Sequence, residues 1–185
     1  EKSFGLNYIK NMNLSENMED ELVKQSLYRL VLHEVGHTLG LNHNFKGSIL
    51  LSTDELNNKD IVNEKGVTSS VMDYPAININ KNPNEQALFF DVKPGFYDRW
   101  AIKYGYSFIN ENEDEDLILS NILSKSTQKE HAFANDALDM RSPGKGSDPN
   151  AMIFDLSSNP MDHSVDKINM IFDILKDLKK NYTDD

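Results

Sequence analysis

Three histidines and one glutamate stand close together in the segment His33-Glu34-Val35-Gly36-His37-Thr38-Leu39-Gly40-Leu41-Asn42-His43. His33 and His37 are four residues apart, so on a helix their imidazoles lie on one face, one turn apart. Two nitrogens at that separation can bind one zinc ion. Gly40 allows the chain to turn sharply out of the helix, which would bring His43 back as a third ligand. Three protein ligands leave a fourth position for water, as in catalytic zinc sites.

Glu34 lies about 100° around the helix from His33. There its carboxylate would reach a zinc-bound water but would be badly placed as a ligand. We therefore predict one zinc ion per chain, held by His33, His37 and His43, with Glu34 as a general base. The alternative is that these are ordinary histidines of a buried helix. The desolvation cost of such groups on an apolar helix disfavours that interpretation unless a metal or partner compensates.

The helix that must carry these residues is predicted over about residues 16–41. No proline interrupts it, and apolar residues recur at helical spacing in its first half. From Leu30 to Leu41 the only charged residue is Glu34. That composition is typical of a helix that is buried on every side.

The rest of the chain is predicted to be mainly α, because strand signals are weak throughout. Residues 42–75 are expected to form a long loop with one short helix near 54–58. The remainder, 94–182, is expected to be helical. Its predicted helices are a short one that opens at Pro94 and Gly95, two near 114–125 and 127–139, and an amphipathic one that starts at Asn159 or Pro160.

Composition excludes several classes of protein. The chain has 185 residues, which fits one ordinary domain, and a net charge of −11. A nucleic-acid partner is not expected, because such proteins present a basic face. The sequence contains no run of 18 apolar residues, so no transmembrane segment is predicted. With no cysteine, thiol catalysis and cysteine-ligated metal sites are excluded.

The string HExxHxxGxxH resembles the zinc signature of the metzincin metallopeptidases. Metzincins carry a Met-turn downstream, and residues 70–75, Ser70-Val71-Met72-Asp73-Tyr74-Pro75, are similar to it. The resemblance implies that Met72 shapes the hydrophobic floor of the site. It also implies that Tyr74 contacts zinc or stabilises the oxyanion as a phenol donor. Without the zinc string, Met72 would be an ordinary core residue.

More specifically, the chain resembles the Met-zincin domain of large bacterial zinc-dependent metallopeptidases. The resemblance rests on LHEVGHTLGLNHNFKGS, SVMDYP, PGFYDRWAIKYGY and ANDALDM. It implies a zincin-like fold and a zinc-dependent metalloendopeptidase that hydrolyses protein or peptide substrates with a zinc-activated water and a glutamate base. It also implies an extracytoplasmic location: secreted, periplasmic or at the cell surface.

Complete metzincins place a twisted sheet before the zinc helix, and its edge strand pairs with the substrate. Only about 15 residues precede the predicted helix, too few for that sheet. We therefore expect residues 1–185 to be the C-terminal part of a metzincin catalytic domain, with its N-terminal β-sheet subdomain as a missing partner. A zinc-binding module without turnover and a zinc hydrolase of a non-peptide amide are the alternatives.

The remaining candidate sites are weaker. Four oxygen-bearing side chains could bind calcium, although their spacing is not that of an EF-hand: Asn135, Asp136, Asp139 and Asp148. His131 and His163 have no partner at ligand spacing and are expected to be surface residues. Four aromatic residues are expected to form a core face: Phe96, Tyr97, Trp100 and Tyr104.

Overall fold

The computed structural model describes residues 2–11, 15–80, 82–139 and 146–182, and the regular structure in these ranges is entirely helical. The α-helices are α1 (Lys2–Asn11), α2 (Glu16–Thr38), α3 (Thr53–Leu56), α4 (Lys59–Lys65), α5 (Phe96–Tyr106), α6 (Glu115–Leu123) and α7 (Pro160–Tyr182). Short 3₁₀ helices span Gly47–Ile49, Pro83–Glu85 and Lys129–His131. The prediction of a mainly α fold is confirmed.

None of the described helices is both long and apolar enough to cross a membrane.

The helix α2 ends before the boundary predicted near residue 41. Gly40 adopts a φ of 84°, a conformation that glycine reaches without steric cost and that turns the chain out of the helix. The Leu41 N–H then donates to the Gly36 carbonyl at 3.0 Å, and the Gly40 N–H to the His37 carbonyl at 3.0 Å. These bonds satisfy carbonyls of the last turn and fix the direction in which the chain leaves α2.

Burial of α2 is confined to one face. Leu22, Gln25, His33 and Gly36 are buried. Five large apolar side chains of α2 and that of Leu39, the residue after it, are between 40% and 61% exposed; the five are Leu27, Tyr28, Leu30, Val31 and Val35. The prediction that this helix is buried on every side is therefore wrong. Within the part of the chain that the structure describes, no segment covers the face that carries these apolar side chains.

The N-terminal half of α2 is held by the main hydrophobic core. This core contains Leu22 of α2, Tyr8 and Ile9 of α1, and Met170 and Ile174 of α7. The helix α1 was not predicted, because residues 1–14 show no convincing apolar periodicity; its packing against α2 stabilises it.

The segment that precedes α5 is also attached to α2. The side-chain oxygen of the buried Gln25 accepts hydrogen bonds from the Phe89 N–H at 2.8 Å and the Phe90 N–H at 3.3 Å. A buried amide that satisfies two backbone donors holds this irregular segment firmly on the helix.

Two parts of the chain differ from the predicted helical pattern. In the predicted loop over 42–75, α3 corresponds to the short helix expected near 54–58, whereas α4 was not predicted. The predicted helix over 127–139 is reduced to Lys129–His131. Within the remainder predicted as helical, 94–182, the described residues at 132–139 and 146–159 are irregular. Tertiary hydrogen bonds fix the segment 132–134, as the next subsection describes. Residues 140–145 lie outside the described ranges.

Side-chain environments also differ at several predicted positions. His163, predicted to be on the surface, is buried, and His131 is half-buried and stacks on Trp100 with ring centroids 4.9 Å apart. In the predicted aromatic core face, Tyr97 and Trp100 are half-buried, whereas Tyr104 is exposed.

A buried carboxylate organises the loop that leads toward the site. Asp91 accepts hydrogen bonds from the Val67 N–H at 2.7 Å, the Thr68 N–H at 3.1 Å and the Thr68 hydroxyl at 2.8 Å. Burial raises the pKa of the Asp91 carboxyl to about 6, from an ordinary value of 3.8. The folded state therefore binds this proton more tightly than the unfolded state, and the resulting stabilisation is lost as the pH rises through about 6.

Between pH 4.5 and 6.5, titration of Asp91 should lower the free energy of unfolding of the metal-free chain by about 2 kcal/mol. We expect Asp91→Asn to abolish this part of the pH dependence. The measurement is urea unfolding at both pH values in the presence of a chelator. Asp60→Asn, at an exposed carboxylate of α4, is the matched control and should leave the pH dependence unchanged. An unchanged pH dependence in Asp91→Asn would refute this assignment.

Candidate metal centre

The three histidines predicted as ligands meet at the C-terminal end of α2. His33 and His37 project from the helix, and His43 comes from the segment that follows Gly40. One ligand atom from each imidazole lies within 4.8 Å of the others. Among the residues that the structure describes, this is the only group of three or more His, Asp or Glu side chains with metal-site geometry.

Backbone carbonyls orient the two helical imidazoles. His33 Nδ1 lies 2.8 Å from the Val71 carbonyl oxygen, and His37 Nδ1 lies 2.9 Å from the Leu41 carbonyl oxygen. A carbonyl oxygen can only accept, so each Nδ1 carries the proton and each Nε2 presents a lone pair.

The environment of His33 fits a metal ligand. Its Nε2 is buried without a hydrogen-bond partner, and burial lowers the pKa of its ring, which favours the neutral imidazole. A buried nitrogen lone pair without a donor is costly, and a bound cation would satisfy it.

A carboxylate orients the third imidazole. His43 Nδ1 lies 2.9 Å from Asp136 Oδ2 and 3.1 Å from Asp136 Oδ1, so it donates to this carboxylate. Its Nε2 lies 2.9 Å from the Tyr74 hydroxyl. Carboxylate-to-histidine bonds of this kind fix the ring orientation and raise its basicity toward a metal. Tyr74 is thus within hydrogen-bond reach of the nitrogen that faces the centre.

Met72 lies against the turn of α2 that carries His33 and His37. Its side chain is fully buried, in a turn that the Asp73 N–H closes on the Ser70 carbonyl at 3.4 Å. A Cβ atom added at Gly36 would collide with Met72 Sδ. The glycine between His33 and His37 therefore allows the thioether to pack directly against the helix.

A second buried carboxylate fixes the turn that carries Met72. Asp98, in the first turn of α5, accepts from the Ser70 hydroxyl at 2.6 Å, the Val71 N–H at 2.9 Å and the Gly95 N–H at 2.7 Å. Gly95 packs so closely that a Cβ there would collide with the Ser69 carbonyl. Because the Val71 carbonyl faces His33, Asp98 positions that imidazole through the backbone.

Glu34, the predicted base, has no polar partner among the described residues, whereas Arg29, a cation near Tyr74, is held by a hydrogen bond. Glu34 is exposed and makes no hydrogen bond or ion pair with the described residues, so its carboxylate is accessible. The Arg29 guanidinium donates to the Asp73 carbonyl and lies 5.7 Å from the centre of the Tyr74 ring. Arg29 thereby fixes the backbone beside Tyr74.

Asp136 is the site residue that sequence reasoning assigned to a different role. Asn44 holds the segment that carries Asp136 close to His43. The Asn44 side-chain N–H donates to the Ala132 carbonyl at 3.0 Å, and the Asn44 side-chain oxygen accepts from the Ala134 N–H at 3.1 Å. No local spacing links His43 to a residue so distant in the sequence.

The structure does not support calcium at the predicted positions. Asp136 faces His43, and Asp148 pairs with Lys46 at 2.6 Å. Asp136 and Asp148, two of the four side chains proposed for calcium, are thus engaged in separate interactions.

Comparison with known proteins adds one match. A family model described as Met-zincin matches residues 15–185, which includes every residue of the candidate centre. Searches of curated proteins and of solved structures found no match.

Proposed function

The chain belongs to the Met-zincin family, and on that premise we propose that it forms the zinc-binding part of a metalloendopeptidase. The convergence of three imidazoles whose Nδ1 atoms are all engaged carries this proposal. It directs three Nε2 lone pairs toward one position, although the His43 lone pair here accepts from the Tyr74 hydroxyl and would exchange that bond for the cation. Imidazole nitrogens suit zinc. The resemblance also supports action outside the cytoplasm.

The residues of the chain have distinct roles in this proposal. His33, His37 and His43 would hold the zinc ion, which would supply the Lewis acidity that acidifies water and polarises the scissile carbonyl. Glu34 accepts the proton of the attacking water and returns it to the leaving amine. Tyr74 donates its phenolic hydrogen to the oxyanion.

Met72 takes no part in proton transfer. We propose that residues 70–75 are the Met-turn of the family and that Met72 keeps the imidazoles at their positions. Its full burial against Gly36 supports this role.

An apolar cleft beside Tyr74 offers a place for a substrate side chain. It has a volume of about 300 Å³ and includes Leu30, Pro75, Phe90 and Phe154 in its lining. Such a lining favours an apolar residue next to the scissile bond.

We further propose that the exposed face of α2 is covered by the N-terminal sheet subdomain of the same catalytic domain. A contiguous row of large apolar side chains on one helix face is typical of a protein interface. The sheet would also supply the strand that pairs with the substrate. Without it, we expect these 185 residues to bind zinc without cleaving protein.

The effect of Val31→Glu should therefore depend on the preceding polypeptide. In the 185-residue chain the side chain is exposed, so the free energy of unfolding should change by less than about 0.5 kcal/mol. In the gene product that contains this chain, the same substitution should cost about 2 kcal/mol or more, because it buries a charge. Denaturant unfolding of both polypeptides measures this, with Asn17→Glu as the exposed control. An equal effect in both would refute the covered face.

Casein cleavage by that gene product tests the proposed function. Activity should be lost when a chelator removes zinc and should return when zinc is restored. Zinc binding without cleavage of casein or peptides would favour a binding module without turnover. Hydrolysis restricted to non-peptide amides would favour a zinc hydrolase of a non-peptide amide.

A further inference from the structure

The long C-terminal helix α7 carries two separate apolar faces. One face is part of the fold: His163, Met170 and Ile174 are buried, and the last two share the main core with α1. The second face has five large apolar side chains that are 51% to 73% exposed: Met161, Val165, Ile168, Phe172 and Leu175. A helix that is already anchored on one side thus presents a second apolar stripe to solvent.

The spacing of this exposed stripe is that of a coiled coil. Successive members are four, three, four and three residues apart. This is the alternation of heptad a and d positions, with Val165 and Phe172 at a, and Met161, Ile168 and Leu175 at d. In the same register the buried residues occupy positions c and f, so the a/d seam points away from the fold. Its geometry suits a second helix rather than a flat surface.

The residues that flank the seam indicate what that second helix is. The e positions hold Asp162, Asn169 and Lys176, and the side chains are exposed. When α7 is paired with a second copy in antiparallel orientation, with the two-fold axis at the level of residue 170, Asp162 of each copy lies opposite Lys176 of the other. Asn169 lies opposite its own counterpart. Two ion pairs and one amide pair therefore form by symmetry.

The core of this arrangement is also complementary. In this arrangement Val165 would pack against Leu175 of the second copy, and Ile168 would pack against Phe172. The flanking g position Ile171 meets its own counterpart and extends the apolar contact. In a parallel pair, Lys176 would face Ile171 instead, and no ion pair would form. Charge and shape therefore both favour the antiparallel pair.

We propose that α7 mediates self-association of this chain as an antiparallel two-helix coiled coil formed by residues 162–176. This interface is independent of the metal centre and of the exposed face of α2.

Sedimentation equilibrium of the 185-residue chain tests the proposal. Every protein in the series carries Val31→Glu, which removes association through α2. We expect a dimer at about 100 µM, and a monomer for Ile168→Glu at the same concentration. Because Ile168 is exposed, the helical circular dichroism and melting temperature should stay unchanged. A chain that is monomeric at this concentration, or a dimer that Ile168→Glu leaves intact, would overturn the proposal.

Charge reversal tests the register. Asp162→Lys should weaken dimerisation about 5-fold to 10-fold, because residue 162 of each copy would then be a lysine that faces Lys176 of the other copy. Combining it with Lys176→Asp should restore the wild-type dissociation constant within about 3-fold, because both ion pairs re-form with reversed sign. Asp60→Lys changes the net charge equally outside α7 and should have no effect. Failure of the double variant to recover would exclude this pairing.

Cross-linking tests the orientation, since the chain contains no cysteine. A short bis-maleimide should join two copies of Asn169→Cys efficiently, because residue 169 faces its own counterpart. Ser164→Cys, exposed on the same helix, should cross-link poorly, because residue 164 lies opposite residue 178. The reverse pattern, or equal yields, would overturn the antiparallel arrangement.

Discussion

Replacing Glu34 with glutamine is expected to lower casein cleavage by the gene product about 100-fold or more while zinc content stays near one per chain. Glutamine has nearly the same shape but cannot accept the proton of the attacking water. The substitution should not disturb the imidazoles, because the exposed Glu34 carboxylate makes no hydrogen bond with the described residues. The measurements are kcat/KM on casein-derived peptides and metal analysis of the same samples.

Glu64→Gln, at an exposed carboxylate of α4, is the matched control and should retain full activity. Loss of zinc together with activity in Glu34→Gln would identify Glu34 as a ligand instead of a base. Full activity in that variant would exclude both roles and with them the proposed mechanism.

Removing the imidazole of His43 should weaken zinc binding by more than about 100-fold, because one of the three ligands is lost. Asp136→Asn should have a smaller effect, about 10-fold to 100-fold. It keeps the ring but removes the carboxylate that receives the Nδ1 proton at 2.9 Å. Competition with a zinc-binding dye at neutral pH measures both affinities. The graded order distinguishes a ligand from a residue that orients it.

The control for this pair is Asp148→Asn. Asp148 belongs to the same candidate calcium group in the sequence, but it pairs with Lys46 and should not affect zinc affinity. Wild-type affinity in His43→Ala would contradict the ligand set. An effect of Asp148→Asn equal to that of Asp136→Asn would contradict the orienting role of Asp136.

The convergence of the three histidines could be predicted from the sequence because it depends on local rules. His33 and His37 share a helix face through their four-residue spacing. The positive φ of Gly40 then directs the following segment back toward them, and His43 lies on that segment. Both features are contained in eleven consecutive residues.

The supporting residues could not be predicted, because they come from distant segments. Asp136 reaches His43 through hydrogen bonds made by Asn44, and Asp98 reaches His33 through Val71. Each contact depends on tertiary packing and leaves no periodic pattern in the chain.

The predictions of helix boundaries and of burial were wrong where tertiary structure determines these features. The segment near 127–139 has local helical features, yet its hydrogen bonds go to Asn44 and to the Phe45 N–H. Burial of α2 was overestimated, because apolar composition indicates that a face can be covered, but no segment of the described residues covers this face.

The most direct test of the central claim is the coordination of zinc by the 185-residue chain at neutral pH. X-ray absorption at the zinc edge, on protein loaded with one equivalent of zinc, should show three imidazole nitrogens at about 2.0–2.1 Å and one further light atom. A chelator should remove this zinc, and the His33→Ala variant should lose an imidazole from the spectrum. A chain that retains no zinc when it is supplied, or that binds it through fewer than three imidazoles, would contradict the account.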